Sequence, residues 1–304
     1  MIDVKLRYDV FSDSCIELNH WITSALPRDG VNSQGQEQLD IKNFVESLYK
    51  ADSFKSAFEA YETEVTKLGF DGVLYTYIPQ VIIDQSFATQ PVFEVSRDYS
   101  PKYLQQYEEA RFDRFDPLIK AVVDGENKPI DWWGPICRSY IDGCSNSLEV
   151  LHAGRDYGIE NGLTLPLMSG NRGIAGASFI TGESKNYDLL LTERLDALKL
   201  RTQLFHNLVI SDVKFSGRFV EPFFAALNAT EMGYICGLAA GKSSAQLAVE
   251  LNRTEKYLEQ LMLKVRRKLS GVSADDSPVL NRNQILYYAG LLNLLEYGDK
   301  RKSG

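Results

Sequence analysis

Apolar residues recur at three- and four-residue steps in Ile41, Phe44 and Leu48, and again in Phe54, Phe58, Tyr61, Val65 and Leu68. This spacing predicts two helices, with Gly69 placed to cap the second. The β-branched and aromatic run GVLYTYI (72–78) has strand character, and VFEVS (92–96) follows it more weakly. LTLPLM (163–168) and IAGASFI (174–180) flank SGNRG, which predicts a hairpin. A helical pattern then runs from Leu189 to about Val213. Helices, a sheet and helices again predict an α/β/α sandwich. Ahead of it, PRDGVNSQGQEQLD (27–40) is rich in turn formers and reads as a flexible connector.

The pattern changes after residue 226. Asn228 and Glu231 have capping-box spacing, Met232, Ile235, Leu238 and Ala239 form a stripe, and Gly241 stops the helix. Ser244 is placed to cap a short second helix carrying Leu247, Ala248 and Leu251. After a turn at Asn252-Arg253, Thr254 can cap a third helix with Leu258, Met262, Val265 and Leu269 on one stripe. This is helix-turn-helix spacing, so the expected fold is α+β: an N-terminal sandwich and a C-terminal all-α unit. The expected boundaries are 1–40 for an extension, 41–215 for the sandwich, 216–226 for a linker and 227–304 for the helix-turn-helix unit. The last helix, from Asn281 to about Tyr297, is apolar on most of its circumference. Its stripe Ile285, Tyr288, Leu292 and Leu295 is read as a dimer contact, with burial of both stripes inside the chain as the alternative.

Charge sharpens this division. The 304 residues carry 33 Lys+Arg and 41 Asp+Glu, a net charge of -8. From Gly217 onward there are 12 basic and 9 acidic residues, a net of +3, while the first 216 carry 21 and 32, a net of -11. A mildly basic module behind an acidic body suits contact with a polyanion. On the third helix, Lys256, Gln260, Leu263 and Arg267 lie opposite the apolar stripe, with Lys264 beside them. Gln can pair with adenine, and Lys or Arg can reach guanine or phosphate. Lys242, Ser243 and the helix start at Thr254 are candidate phosphate anchors. The bland alternative is a solvated helical face, and Glu255 and Glu259 near it would repel phosphate.

Other chemistry finds little support. The three histidines (His20, His152, His206) and four cysteines (Cys15, Cys137, Cys144, Cys236) have neither metal-site nor disulfide-framework spacing. No nucleophile-elbow, metalloprotease or phosphate-loop motif occurs, and Gly170, Gly173 and Gly176 follow a strand rather than opening a helix. No enzyme activity, cofactor or metal is expected. No apolar run approaches the roughly 18 residues that span a bilayer. The N-terminal residues interleave charge with apolar side chains, so no membrane partner and a cytoplasmic location are expected.

The frame E-x3-I-x5-G at Glu231, Ile235 and Gly241, followed by Lys242-Ser243, resembles the helix-turn-helix signature of LuxR-type transcription factors. YSPKYLQQYEEARFDRFDP (99–117), Trp132 and YGIENGLTLPL (157–167) resemble the autoinducer-binding domain of LuxR-type quorum-sensing receptors. The resemblance covers roughly residues 41–271. It implies a homodimer that binds promoter DNA and a small signal, typically an N-acyl homoserine lactone. It also implies that Tyr99, Tyr103, Tyr107, Asp116 and Trp132 hold the signal's polar head, that Gly162 leaves space, and that Thr164 bridges through water. Phe179 is expected where the ligand-facing strand often carries a small hydroxyl residue, and Tyr103 stands where the family usually has Trp. Read without the family, Asp116 caps a helix at Pro117 and the tyrosines form core. A sensor of a non-lactone ligand or of none, or an adaptor that sequesters another regulator, remains an open alternative.

Overall fold

In the computed structural model, residues 33–79, 92–141, 145–170, 173–182, 186–270, 280–292 and 294 are described. The chain divides into two compact units, residues 1–43 and 44–304. The described part of the first is the start of helix α1 (Ser33–Lys50). Residues 33–40 are therefore helical, not the connector that their turn-forming composition suggests. The rest of that expected connector, with Cys15, His20 and Cys144, lies outside the described residues.

Helix α2 (Phe54–Lys67) begins at Ser53, whose hydroxyl accepts from the Ser56 backbone N–H, and Gly69 leaves it at φ 102. A five-stranded antiparallel sheet has the order β2-β1-β5-β4-β3. Its strands are β1 (Gly72–Pro79), β2 (Phe93–Val95), β3 (Ile130–Asp131), β4 (Asn161–Gly170) and β5 (Gly173–Thr181). Between β2 and β3 come α3 (Pro101–Glu109) and α4 (Pro117–Val123); α5 (Pro135–Ile141) and α6 (Ser145–Asp156) precede β4. The final helical pattern of the sandwich is two helices, α7 (Tyr187–Glu193) and α8 (Leu195–Ser211), rather than one.

Alternation along the strands sends side chains into two cores, one on each face of the sheet. Val73, Tyr75, Leu163, Ala177 and Phe179 pack with Phe58, Tyr61 and Phe205 of α2 and α8. Ile78, Ile174 and Ile180 pack with Tyr99, Tyr103, Leu118 and Leu151 on the other face. The first core includes polar groups that find partners. Arg201 Nε donates to Glu64 Oε2 at 3.0 Å, Tyr61 Oη donates to Thr202 Oγ1 at 2.9 Å, and Tyr75 Oη lies 2.9 Å from His206 Nδ1.

Burial pushes His206 down to about 4. Between its ordinary pKa of about 6.5 and this value, the unfolded chain binds a proton that the folded chain does not. Its contribution to stability is thus complete above about pH 6.5 and declines as pH falls toward 4, by roughly 1 kcal/mol per pH unit. Melting temperatures between pH 7 and 4.5 should fall less steeply for His206→Asn; parallel curves would contradict this account.

Helix α9 (Val213–Phe224) occupies most of the expected linker. Phe215 and Phe219 enter the sandwich core, whereas Val220 and Phe224 enter the C-terminal core. The segment is one amphipathic helix shared by both cores because apolar residues on it face each in turn. Then follow α10 (Ala229–Ala239), α11 (Ser244–Glu250), α12 (Glu255–Ser270) and α13 (Arg282–Leu291). The Asn228–Glu231 capping box forms, and buried Glu231 also accepts from Lys268 Nζ at 2.7 Å. Gly241 has φ 83 and Asn252 φ 52, so both turns use the left-handed region. Ser243, not Ser244, caps α11, its hydroxyl accepting from the Gln246 N–H.

The last helix differs from its expected use. Ile285, Tyr288 and Leu292 are buried with Met232, Ile235 and Val265 in the C-terminal core, so this stripe is not a free dimer contact. Helix α13 packs against α10 and α12 of its own unit. Leu295 lies outside the described residues. Among the described residues no helix is long and apolar enough to cross a membrane.

Candidate functional site

Between the sheet and helices α3, α4 and α6 lies a cavity of about 450 Å³, within the roughly 300–1,000 Å³ usual for small-molecule sites. Leu74 and Ile78 of β1, Leu118 of α4 and Leu151 of α6 are among its apolar walls. Its polar groups come from strands and helices well separated along the chain.

The α3 start explains the tyrosines. Ser100 caps that helix and Pro101 occupies its first turn, so Tyr103 and Tyr107, four residues apart, share one face. Tyr99, Tyr103 and Tyr107 all line the cavity. Tyr107 Oη donates to Asp116 Oδ2 at 2.7 Å. The other carboxylate oxygen of Asp116, Oδ1, accepts from the Leu118 N–H at 2.8 Å and caps α4. The capping and ligand-site readings of Asp116 are therefore compatible, because each uses a different oxygen. Burial raises its pKa, opposed by the hydrogen bonds from Tyr107 and from backbone N–H groups. Burial, followed by the neighbouring Asp116 charge, raises that of Tyr107.

A second polar chain crosses the sheet. Trp132 Nε1 donates to Thr164 Oγ1 at 2.9 Å, and that hydroxyl lies 2.8 Å from Ser178 Oγ. Gly162 makes this possible, since a Cβ there would fall within the Trp132 indole. The space at Gly162 thus serves the indole and not a ligand directly. Trp132, Thr164 and Ser178 line the cavity.

Phe179 does not. It lies on the opposite face, fully buried, its ring centroid 5.6 Å from that of Phe70. The residue opposite Thr164 on β5 is Ser178, because a register irregularity between Pro166 and Met168 shifts the pairing. Counted back from the Gly170–Gly173 pair without that bulge, Thr164 would face Phe179. Along β5, Ile174, Gly176 and Ser178 alternate onto the cavity face, so the hydroxyl residue on the ligand-facing strand is Ser178. Alternation from Thr164 combined with the bulge is the signal that would have found it; Arg218, which also borders the cavity, carried no sequence signal.

The second candidate surface lies on α11 and α12. Lys242, Ser243, Thr254, Lys256, Gln260 and Lys264 are exposed, and Arg267 is half-buried. Lys242 Nζ pairs with Glu250 Oε2 at 2.7 Å. Thr254 Oγ1 accepts from the Tyr257 N–H at 3.2 Å, so its hydroxyl caps α12. Leu258, Leu261, Met262, Val265 and Leu269 are buried on the other side. Among the described residues no group of three or more His, Cys, Asp or Glu side chains could hold a metal ion.

An antiparallel sheet with helices on both faces, a cavity against one of them and an appended helical unit define a ligand-binding sensor class. The family model for the autoinducer binding domain matches residues 53–209, just over half the chain. The chain belongs to this family, that of the LuxR-type quorum-sensing regulators. It is 28% identical over 166 residues to the transcriptional activator protein VanR of Vibrio anguillarum. That match covers 54% of this chain and 65% of VanR, just under two thirds of the relative. It is 26% identical over 204 residues to the transcriptional activator protein AhyR of Aeromonas hydrophila, covering 66% of this chain and 76% of that one. The fold resembles that of Escherichia coli SdiA, with a TM-score of 0.52 at 16% identity, covering 87% of this chain and 99% of SdiA. SdiA in complex with octanoyl-rac-glycerol gives a TM-score of 0.52 at 17% identity, covering 88% and 98%.

Proposed function

We propose that this chain is a signal-responsive transcription regulator whose sandwich binds a small amphiphile, an N-acyl homoserine lactone, and whose C-terminal helices bind promoter DNA as a homodimer. The observation that carries the first part is Asp116: a buried carboxylate bonded to Tyr107 on the wall of a mainly apolar cavity. Beyond the bonds from Tyr107 and Leu118, each carboxylate oxygen can accept a second hydrogen bond, so such a group favours a ligand that brings an N–H donor. The lactone's amide supplies it, the Tyr103 hydroxyl on the cavity wall offers a donor for a carbonyl group, and the apolar walls receive the acyl chain. The LuxR-type membership and the transcriptional activators among the relatives support the regulatory half.

A ligand that binds only the folded state adds about 2.7 kcal/mol of stability at a hundred times its Kd. A homoserine lactone series of varied acyl length should therefore raise the melting temperature, with octanoylglycerol as the non-lactone comparison. No shift with any lactone, and a shift with octanoylglycerol, would replace the lactone reading by a non-lactone one.

The DNA half rests on the exposed residues of α12 and on Lys242. Gel shifts with promoter fragments should weaken as salt rises, through counterion release. Lys242→Ala is expected to weaken all fragments alike, and Gln260→Ala to change their ranking. Salt-insensitive retention, or no retention at low salt, would instead favour an adaptor that acts on another regulator.

A further inference from the structure

Helix α12 turns one side to its own core and the other to solvent. Leu258, Leu261, Met262, Val265 and Leu269 are buried, whereas Lys256, Gln260 and Lys264 are exposed. At 100° per residue, Leu263 falls on the exposed side, about 60° from Gln260 and about 20° from Lys256. It is half-buried there. Half-buried Leu251, Leu286 and Leu291 pack against the C-terminal core, and Leu263 is not one of the described residues that do. It therefore offers apolar surface outside that core, in the middle of a polar face.

The neighbours of Leu263 point to what covers it. Lys242 pairs with Glu250, Lys268 pairs with Glu231, and Arg266 donates to the Leu280 carbonyl. Lys256 and Lys264 have no such partner among the described residues. An apolar side chain beside two such cations suits a polyanion that also presents methyl groups. Duplex DNA is one, because each thymine projects its C5-methyl into the major groove. Along the helix axis Gln260 and Leu263 are about 4.5 Å apart, close to the roughly 3.4 Å between base pairs. The two side chains can thus address one base pair or two neighbouring ones. Exposed Glu259, one turn before Leu263, disfavours a phosphate on that flank, which leaves the leucine for a base edge.

We infer that Leu263 reads a thymine methyl in the major groove, beside the base that Gln260 contacts. The inference rests on the C-terminal helices binding promoter DNA. Taking one methyl group out of water is worth about fourfold in affinity. Such a contact separates thymine from cytosine, which carries no methyl at that position, whereas the lysines favour every sequence alike.

The test uses the full chain, with and without octanoyl homoserine lactone. A preferred duplex is selected from random sequences at low salt. Each of its thymines is then replaced singly by uracil, which lacks only the C5-methyl. For the wild type, one such replacement in each half-site should weaken binding about fourfold. Leu263→Ala should bind the unmodified duplex about fourfold more weakly and show no further loss at that uracil. Its affinity for unrelated duplex should stay within about twofold of wild type, and its melting temperature serves as the folding control. Leu263→Met, which keeps an apolar tip, should retain the uracil effect. An equal uracil effect in the wild type and Leu263→Ala overturns the inference, as does a wild type indifferent to every uracil. Equal weakening of selected and unrelated duplexes by Leu263→Ala also overturns it, since the leucine then supports docking without reading a base. If the wild type retains no duplex at low salt under either condition, the DNA half of the proposed function fails, and the inference with it.

Discussion

Asp116→Ala is expected to remove the ligand-induced rise in melting temperature and to lower affinity for a homoserine lactone between about tenfold and a hundredfold. The range follows from losing a hydrogen bond to a charged group, worth roughly 1.5–3 kcal/mol. The variant should also be less stable without ligand. It loses the α4 cap made by Oδ1, worth about 1 kcal/mol, and leaves the Tyr107 hydroxyl without its acceptor, at about 1–3 kcal/mol. Asp116→Asn separates these effects, because its amide oxygen can still cap α4 while its NH₂ cannot accept from Tyr107. It should recover the cap's share of stability and little of the ligand affinity. Chemical denaturation with and without ligand measures both quantities, and full ligand affinity in Asp116→Ala would remove the carboxylate from the proposed site.

The second large effect separates the two faces of β5. Phe179→Ala should cost about 3–5 kcal/mol, since it empties a large, fully buried ring position. The milder Phe179→Leu should remain folded and keep the wild-type ranking of ligands, because residue 179 points away from the cavity. Ser178→Val places methyl groups on the cavity floor and breaks the Ser178–Thr164 hydrogen bond. It should weaken ligand binding by about tenfold, a penalty of about 1.4 kcal/mol, and cost about 1–3 kcal/mol in stability because the Thr164 hydroxyl loses its partner. A changed ligand ranking in Phe179→Leu with a silent Ser178→Val would show that the strand is assigned to the wrong face.

Much of this chain is readable from local signals. The caps at Ser100, Asp116 and Asn228, the turn at Asn252 and the positive-φ glycines Gly69 and Gly241 act within a few residues, so sequence spacing determines them. The alternation in β1 and the heptad-like stripe of α12 likewise follow from the periods of strand and helix. The tyrosines of α3 reach the cavity for the same reason.

What the tertiary structure alone decided depends on groups far apart in sequence. The bulge in β4 sets Thr164 opposite Ser178 rather than Phe179, while β5 keeps its own alternation and an unbroken register with β1. Composition assigned residues 33–40 and 216–224 to irregular chain, but both are helical. In α9, apolar faces meet two cores at once, a gain that exists only when both cores are present. Arg218 borders the cavity and pairs with Glu94, 124 positions away, and the final stripe of α13 is buried with Met232, Ile235 and Val265 inside its own unit. Periodicity fixes which face of an element is apolar; what covers that face is a property of the assembled fold.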